Sequence, residues 1–244
     1  MWALLPLKRA NEAKQRLASV LSAEERRELF LAMAGDVLAV LQAHPDIDNV
    51  LIVSDDLDAT RLAGHYGAER IPEPETGGLN QAVRAGVAEL GRRGIREVIV
   101  VHGDLPMIEG AELSELIRVS RQQGALGDAA VTGLTLAPDR HHKGTNCLIC
   151  DPAAELSFHF GTNSFAAHVR EAKQCGLELQ LVFAPGLSRD IDSPEDLLTL
   201  ARCEREGVAS QSRQYLQASG LLDRLLPSGI ARWRNLEQAL NRVG

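Results

Sequence analysis

Residues 98–101 read Val-Ile-Val-Val and run directly into His102-Gly103-Asp104-Leu105-Pro106. Four apolar residues in a row are too few for a buried helix. They fit a strand covered on both faces, as in parallel sheets flanked by helices. Asn49–Ser54 (Asn-Val-Leu-Ile-Val-Ser) repeats the pattern, and residues 2–6 supply a first strand of the same kind. Helical patterns lie between these runs. Ser22-Ala23-Glu24-Glu25 matches a capping box and opens a predicted helix to about Ala43. Further helices are predicted at 56–66, 79–92, 110–123 and 164–175, and Ser193-Pro194 caps another. Short strands are predicted near 68–71, 128–136, 145–150, 178–184 and 188–192. This alternation predicts an α/β fold, a mostly parallel mixed sheet with helices on both faces.

The length of 244 residues suits one sizeable α/β domain, read as 1–203, followed by a helical C-terminal extension, 204–244, with helices at 211–225 and 229–242. The extension reads as a packing or oligomer helix pair. A net charge of −7 with both signs interspersed argues against a nucleic-acid binder. No run approaches the roughly 18 apolar residues of a membrane span. The N-terminus is apolar first and basic afterwards, the reverse of a signal peptide, so a cytoplasmic location is the expectation. The four cysteines do not make a disulfide framework. Cys147 and Cys150 lie on one predicted strand, where a spacing of three sends them to opposite faces, so they read as buried small hydrophobes and not as a zinc pair. Neither G-x-G-x-x-G nor G-x-x-x-x-G-K-S/T occurs, which sets aside Rossmann dinucleotide and P-loop chemistry.

Asp104 falls at the carboxyl end of a buried strand, where open α/β sheets bind ligands. Asp190 and Asp192 are two apart, which on a strand places both carboxylates on one face. Carboxylates pointing together repel unless a cation lies between them. Magnesium takes one or two carboxylates plus substrate phosphates, so the three aspartates suit one or two such ions. Equally, Asp192 could belong to the following cap and Asp190 to a solvated turn. Lys8, Lys14 and Arg16 follow the first strand at the same edge and could neutralise phosphates, with Arg16 suited to bidentate contact, or form an ordinary charged surface. Thr76-Gly77-Gly78-Leu79-Asn80 opens a helix with backbone amides free to approach an anion, although glycine pairs are also common turns. Lys143-Gly144-Thr145-Asn146 and Phe160-Gly161-Thr162-Asn163-Ser164 offer small donors that suit a carboxylate or phosphate, and also suit simple helix capping. His159 and His168 read either as pocket or as packing histidines.

Taken in order, Pro6-Leu7-Lys8, Lys14-x-Arg16-Leu17, Gly78-Leu79-Asn80, His102-x-Asp104-Leu105-Pro106, Gly144-Thr145-Asn146, Phe160-Gly161-x-x-Ser164-Phe165 and Asp190-x-Asp192-x-Pro194-x-Asp196-Leu197 resemble the CofC family over about residues 2–203. That family comprises guanylyltransferases acting on 2-phospho-L-lactate, phosphoenolpyruvate or 3-phospho-D-glycerate in deazaflavin coenzyme (F-420) biosynthesis. The resemblance implies a nucleotide-diphospho-sugar transferase fold of the glycosyltransferase-A kind, with GTP and a small phosphorylated acid as ligands and pyrophosphate as the released product. It implies magnesium, one or two ions, on Asp104, Asp190 and Asp192. It places the acid on Thr145, Gly161 and Ser164, and GTP on Lys8, Lys14, Arg16, Gly78, Leu79 and Asn80. Catalysis would rest on Asp104, Lys8, Lys14 and Arg16. The resemblance leaves room for a homodimer and for a downstream transferase that accepts the product. Gly103 departs from the alanine often found at that position in the family, and nothing is carried onto residues past 203. Two other readings stay open on sequence: a nucleotidyltransferase of the same fold with a sugar-phosphate or molybdopterin acceptor, and a non-catalytic nucleotide-binding subunit.

Overall fold

A computed structural model of the chain describes residues 1–10, 14–75, 77–124 and 133–226. Within them, one sheet contains β1 (Trp2–Pro6), β2 (Asn49–Val53), β3 (Glu69–Ile71), β4 (Val98–Val101), β5 (Gly133–Pro138), β6 (Thr145–Cys150) and β7 (Glu178–Leu181). Their order is β3-β2-β1-β4-β6-β5-β7. Neighbours pair in parallel except β6, which runs antiparallel to β4 and to β5. The carboxyl ends of β1, β2 and β4 therefore share an edge with the amino end of β6, and the loop joining β5 to β6 lies there too.

The helices are α1 (Ala23–Ala43), α2 (Leu57–Tyr66), α3 (Leu79–Arg92), α4 (Gly110–Gly124), α5 (Ser164–Gln174), α6 (Pro194–Ala201), α7 (Ser210–Ala218) and α8 (Leu221–Leu225). Strand alternation divides the core into two layers. Leu5, Ile99 and Val101 face one layer with Leu29, Met33 and Leu116, and Leu4, Val98 and Val100 face the other with Val83, Val87 and Leu90. On that second side α3 lies close against β1: a Cβ on Gly86 would come 2.3 Å from Leu4 Cδ1. Cys147 belongs to the first layer and Cys150 to the second, as their spacing requires, and both thiols are free. Burial raises both thiols, that of Cys150 to about 12.

The capping box at Ser22 and the cap at Ser193 form, each with the hydroxyl accepting from the N3 amide, and at Ser193 the Asp196 carboxylate completes a box as well. Other expectations change. Residues 188–192 do not form a strand: the Ile191 N–H donates to the Asp104 carbonyl at 3.0 Å, a single bridge between two loops instead of a ladder. The side-chain alternation survives, with Ile191 buried and its two aspartate neighbours part-exposed. The strand expected over 178–184 ends at Leu181. The helix expected over 211–225 breaks at Gly220, whose φ of 71° starts α8 anew. Residues 128–132 of one expected strand, the expected helix over 229–242, Asn11 and Thr76 lie outside the described residues.

Beyond Glu204, α7 packs on α1. Asp36 of α1 accepts from the Gln211 and Ser212 amides at 2.8 and 2.9 Å and from the Ser212 hydroxyl at 2.5 Å. Leu216 and Leu221 are buried in the first layer. Among the described residues no helix is long and apolar enough to cross a membrane.

Candidate active site

Lys14 enters the site from a strained turn. Its φ of 55° and ψ of 39° are left-handed, an uncommon conformation for a residue with a Cβ. The next turn, Gln15–Leu17, is anchored by fully buried Leu17. The ammonium group donates to Asp104 Oδ2 and to Asp192 Oδ1, both at 2.6 Å. The Lys14 side chain is only 4% exposed, against 21% for Asp104 and 40% for Asp192. Burial works against the ammonium charge, but the two carboxylates outweigh it and raise its pKa. Burial pushes Asp104 up, and Lys14 together with His102 and a backbone hydrogen bond outweighs that, so Asp104 is held below the usual carboxylate range. Asp104 Oδ1 is buried and has no hydrogen-bond partner.

Asp190 sits beside this clasp, and among the described residues it forms no ion pair of its own. Burial first, then the charges of Asp104 and Asp192, push it up to about 6. Its Oδ1 lies 3.4 Å from the Asn146 amide nitrogen, which also donates to the Leu187 carbonyl at 3.0 Å. Arg16 is 80% exposed and reaches Asp192 at 3.8 Å. The three aspartates and two of the basic residues are thus brought together. Among the described residues no group of three or more His, Cys, Asp or Glu is arranged to hold a metal ion. A lysine ammonium, itself a cation, lies between two of the three carboxylates.

A cavity of about 210 Å³ opens beside the clasp, walled by Lys8, Lys14, Leu79, His102, Asp104 and Asp192. A second, of about 450 Å³, shares Lys8 and Leu79 with it and extends over Arg9, Asp55, Gly77 and Gly78. Gly78 is the N-cap of α3 at φ 89°, with no side-chain cap among the described residues, so this helix start borders the cavity with its positive dipole end. A larger cavity of about 650 Å³ lies apart, between the far end of α3 and the end of β6, and holds none of these residues. His102 packs 4.8 Å from the Phe160 ring, and burial lowers its pKa. An alanine at Gly103 would set its Cβ 2.6 Å from Leu7 Cδ2, which gives a steric reason for glycine in this chain.

Thr145, Gly161 and Ser164 form a second cluster. Thr145 begins β6 and Ser164 begins α5. The Thr145 amide donates to Ser164 Oγ at 2.8 Å, and Thr145 Oγ1 lies 2.9 Å from His168 Nδ1. Gly161 holds an exposed turn at φ 128°. Asn80 acts differently from the other members of the α3 start. Its amide donates to the Phe160 carbonyl at 3.0 Å and accepts from the Phe160 N–H at 2.6 Å, tying α3 to the turn that carries Gly161. Phe160 lies between His102 and His168, 4.8 and 4.9 Å away, and so bridges the two clusters. Arg140, in the β5–β6 loop, pairs with Asp196 at the α6 cap and braces the segment bearing Asp190 and Asp192. No sequence motif marks the bracing roles of Asn146, His168 and Arg140. Thr145-Asn146, a polar pair at the mouth of an otherwise apolar strand, was the available signal for the first.

A family model described as guanylyl transferase CofC like matches residues 1–225. A phosphoenolpyruvate guanylyltransferase of Conexibacter woesei is 36% identical over 225 residues, spanning 92% of this chain and 96% of that protein. A 2-phospho-L-lactate guanylyltransferase of Methanothermobacter thermautotrophicus is 33% identical over 219 residues, spanning 88% and 89%. In fold, a Desulfovibrio desulfuricans G20 protein assigned to the nucleotide-diphospho-sugar transferases matches with a TM-score of 0.69 at 15% identity, covering 91% of this chain and 96% of that one. The sheet is thus of the nucleotide-diphospho-sugar transferase kind, and the match runs past Glu204 to include α7 and α8. The chain belongs to the CofC family, and it is a guanylyltransferase, a nucleotidyltransferase enzyme.

Proposed function

We propose that the protein transfers GMP from GTP to a phosphorylated three-carbon acid, 2-phospho-L-lactate, phosphoenolpyruvate or 3-phospho-D-glycerate, as a step of deazaflavin coenzyme biosynthesis. A phosphate oxygen of the acid attacks the α-phosphorus of GTP in line. The bond from that phosphorus to the oxygen bridging to the β-phosphate breaks, and pyrophosphate leaves. A phosphate dianion needs no general base, so the work of the site is to offset charge repulsion and align the reactants.

The observation that carries this reading is the Lys14 ammonium clasped between Asp104 and Asp192, beside cavities that Lys8 and the start of α3 line. Lys8, Lys14 and Arg16 neutralise GTP phosphates. Gly78 and Leu79 offer backbone amides to the nucleotide, and Asn80 holds α3 to the acid-binding turn. Thr145, Ser164 and the Gly161 turn orient the acid. The residues also fit a divalent cation by charge and donor type. An ammonium already occupies a cation position between two carboxylates, Asp104 Oδ1 lacks a partner, and burial and the two other aspartates disfavour the Asp190 charge. Asp104, Asp190 and Asp192 would hold magnesium, which supplies charge neutralisation on the triphosphate when bound.

Pyrophosphate release tests the reading. GTP with magnesium and each acid is compared with CTP, UTP and ATP, and with sugar phosphates as acceptors. Phosphoenolpyruvate comes first, since the relative at 36% identity bears that substrate in its name. Release that requires GTP and one of the three acids is expected. Release with CTP or UTP and a sugar phosphate, or binding of GTP with no release for any acid, would overturn it.

A further inference from the structure

His168 lies outside the residues assigned so far, yet it is buried and both its ring nitrogens are engaged. The His159 backbone N–H donates to His168 Nε2 at 3.0 Å. A backbone amide can only donate, so Nε2 is the unprotonated nitrogen. The ring is neutral: burial, then the neighbouring His159 and His102, bring His168 down to about 4. A neutral imidazole with a bare Nε2 carries its proton on Nδ1, the nitrogen 2.9 Å from Thr145 Oγ1. Thr145 Oγ1 must therefore accept from His168, which leaves its own hydrogen to donate elsewhere. The same holds for Ser164, whose Oγ accepts from the Thr145 amide at 2.8 Å. Two neighbouring hydroxyls are thus both left as donors.

The loop that fixes this arrangement is itself held. Glu171, one turn along α5, accepts from the Ser157 amide at 2.8 Å and pairs with His159 Nε2 at 3.0 Å. That fixes the position of the His159 N–H that selects the tautomer.

We infer that His168 is a positioning residue that, as its Nδ1–H tautomer, sets the Thr145 hydroxyl as a donor, so that Thr145 and Ser164 together select an anionic oxygen of the acceptor acid. This rests on the proposed guanylyl transfer for the identity of the acceptor, but the tautomer and the direction of the hydrogen bond do not. Two hydroxyl hydrogens free to donate favour a carboxylate or phosphate oxygen, whose hydrogen bonds are charge-assisted, over a neutral group.

The test uses the intact chain in two ways. Long-range ¹H–¹⁵N correlation spectra of the ¹⁵N-labelled protein report the His168 tautomer, and Nδ1–H is expected. A double-mutant cycle then follows KM for the acid. His168→Leu is expected to raise it about 10-fold or more, the scale of a hydrogen bond to a charged group, with kcat and the KM for GTP within about threefold. His168→Asn, whose amide can donate in place of Nδ1, is expected to restore most of it. In a Thr145→Val background, His168→Leu is expected to add less than about twofold, because the two residues act as one. An Nε2–H tautomer, or full additivity of the two substitutions, or equal losses toward GTP and acid, would overturn the inference. If the wild-type protein joins GTP to none of the acids, the guanylyl-transfer reading falls while the tautomer measurement still decides the hydrogen-bond direction.

Discussion

At the scale of single residues, the site is a balance of three carboxylates and one deeply buried ammonium group. Lys14 pairs with Asp104 and Asp192, while burial and the charges of those two aspartates push Asp190 up. Its pKa near 6, against an ordinary 3.8, means that the folded chain binds the proton more tightly than the unfolded chain. The ionised form therefore weakens the fold, with no penalty below about pH 4, a growing one to about pH 6, and the full penalty above. With divalent metal chelated, Asp190→Asn is expected to stabilise the protein at pH 7.5 by on the order of 1–3 kcal/mol. Denaturant unfolding checks this, and the gain should vanish at pH 4. No gain at pH 7.5 would mean that Asp190 is already neutralised in the fold. These carboxylates were legible in the sequence because a strand end and a two-residue spacing are local signals. The Lys14 clasp was not, since it joins positions 90 and 178 residues apart, and neither was the role of Asn80, whose partner is a backbone group with no signature in sequence.

Elements place those residues. The end of β4 delivers Asp104, and the neighbouring antiparallel β6 starts at the same edge, so Thr145 and Asn146 arrive beside it. The apolar runs and capping boxes marked most strands and helices to within a residue or two, because each rests on a short-range pattern. Residues 188–192 misled for the same reason. Their alternation is that of a strand, but the Ile191 N–H bonds the Asp104 carbonyl in a neighbouring loop instead of a strand ladder, and the burial of Ile191 suffices to keep the pattern. Farther along, α7 is docked by Asp36, which takes three hydrogen bonds from its first turn. Asp36→Ala would orphan those donors and is expected to cost about 2–3 kcal/mol, lowering Tm by roughly 5–10 °C. Calorimetry would show this, and a change below about 1 °C would mean that α7 contributes little to the fold.

The whole molecule combines a net charge of −7 with a basic loop at one sheet edge, so the total charge says nothing about the site. The two core layers hold that edge rigid, and the loops around it carry the chemistry that distinguishes members of one fold. The division at 203 remains a proposal for how the chain is organised. In the proposed reaction this edge joins GMP to a phosphorylated acid. Mass spectrometry of products after offering GTP, magnesium and all three acids together measures it directly. One dominant guanosine-diphospho acid with an equal amount of pyrophosphate is expected, reduced by about 100-fold or more in Asp104→Asn, the scale of losing an electrostatic group from such a site. No guanylylated acid from the wild-type protein, or undiminished product from Asp104→Asn, would contradict it.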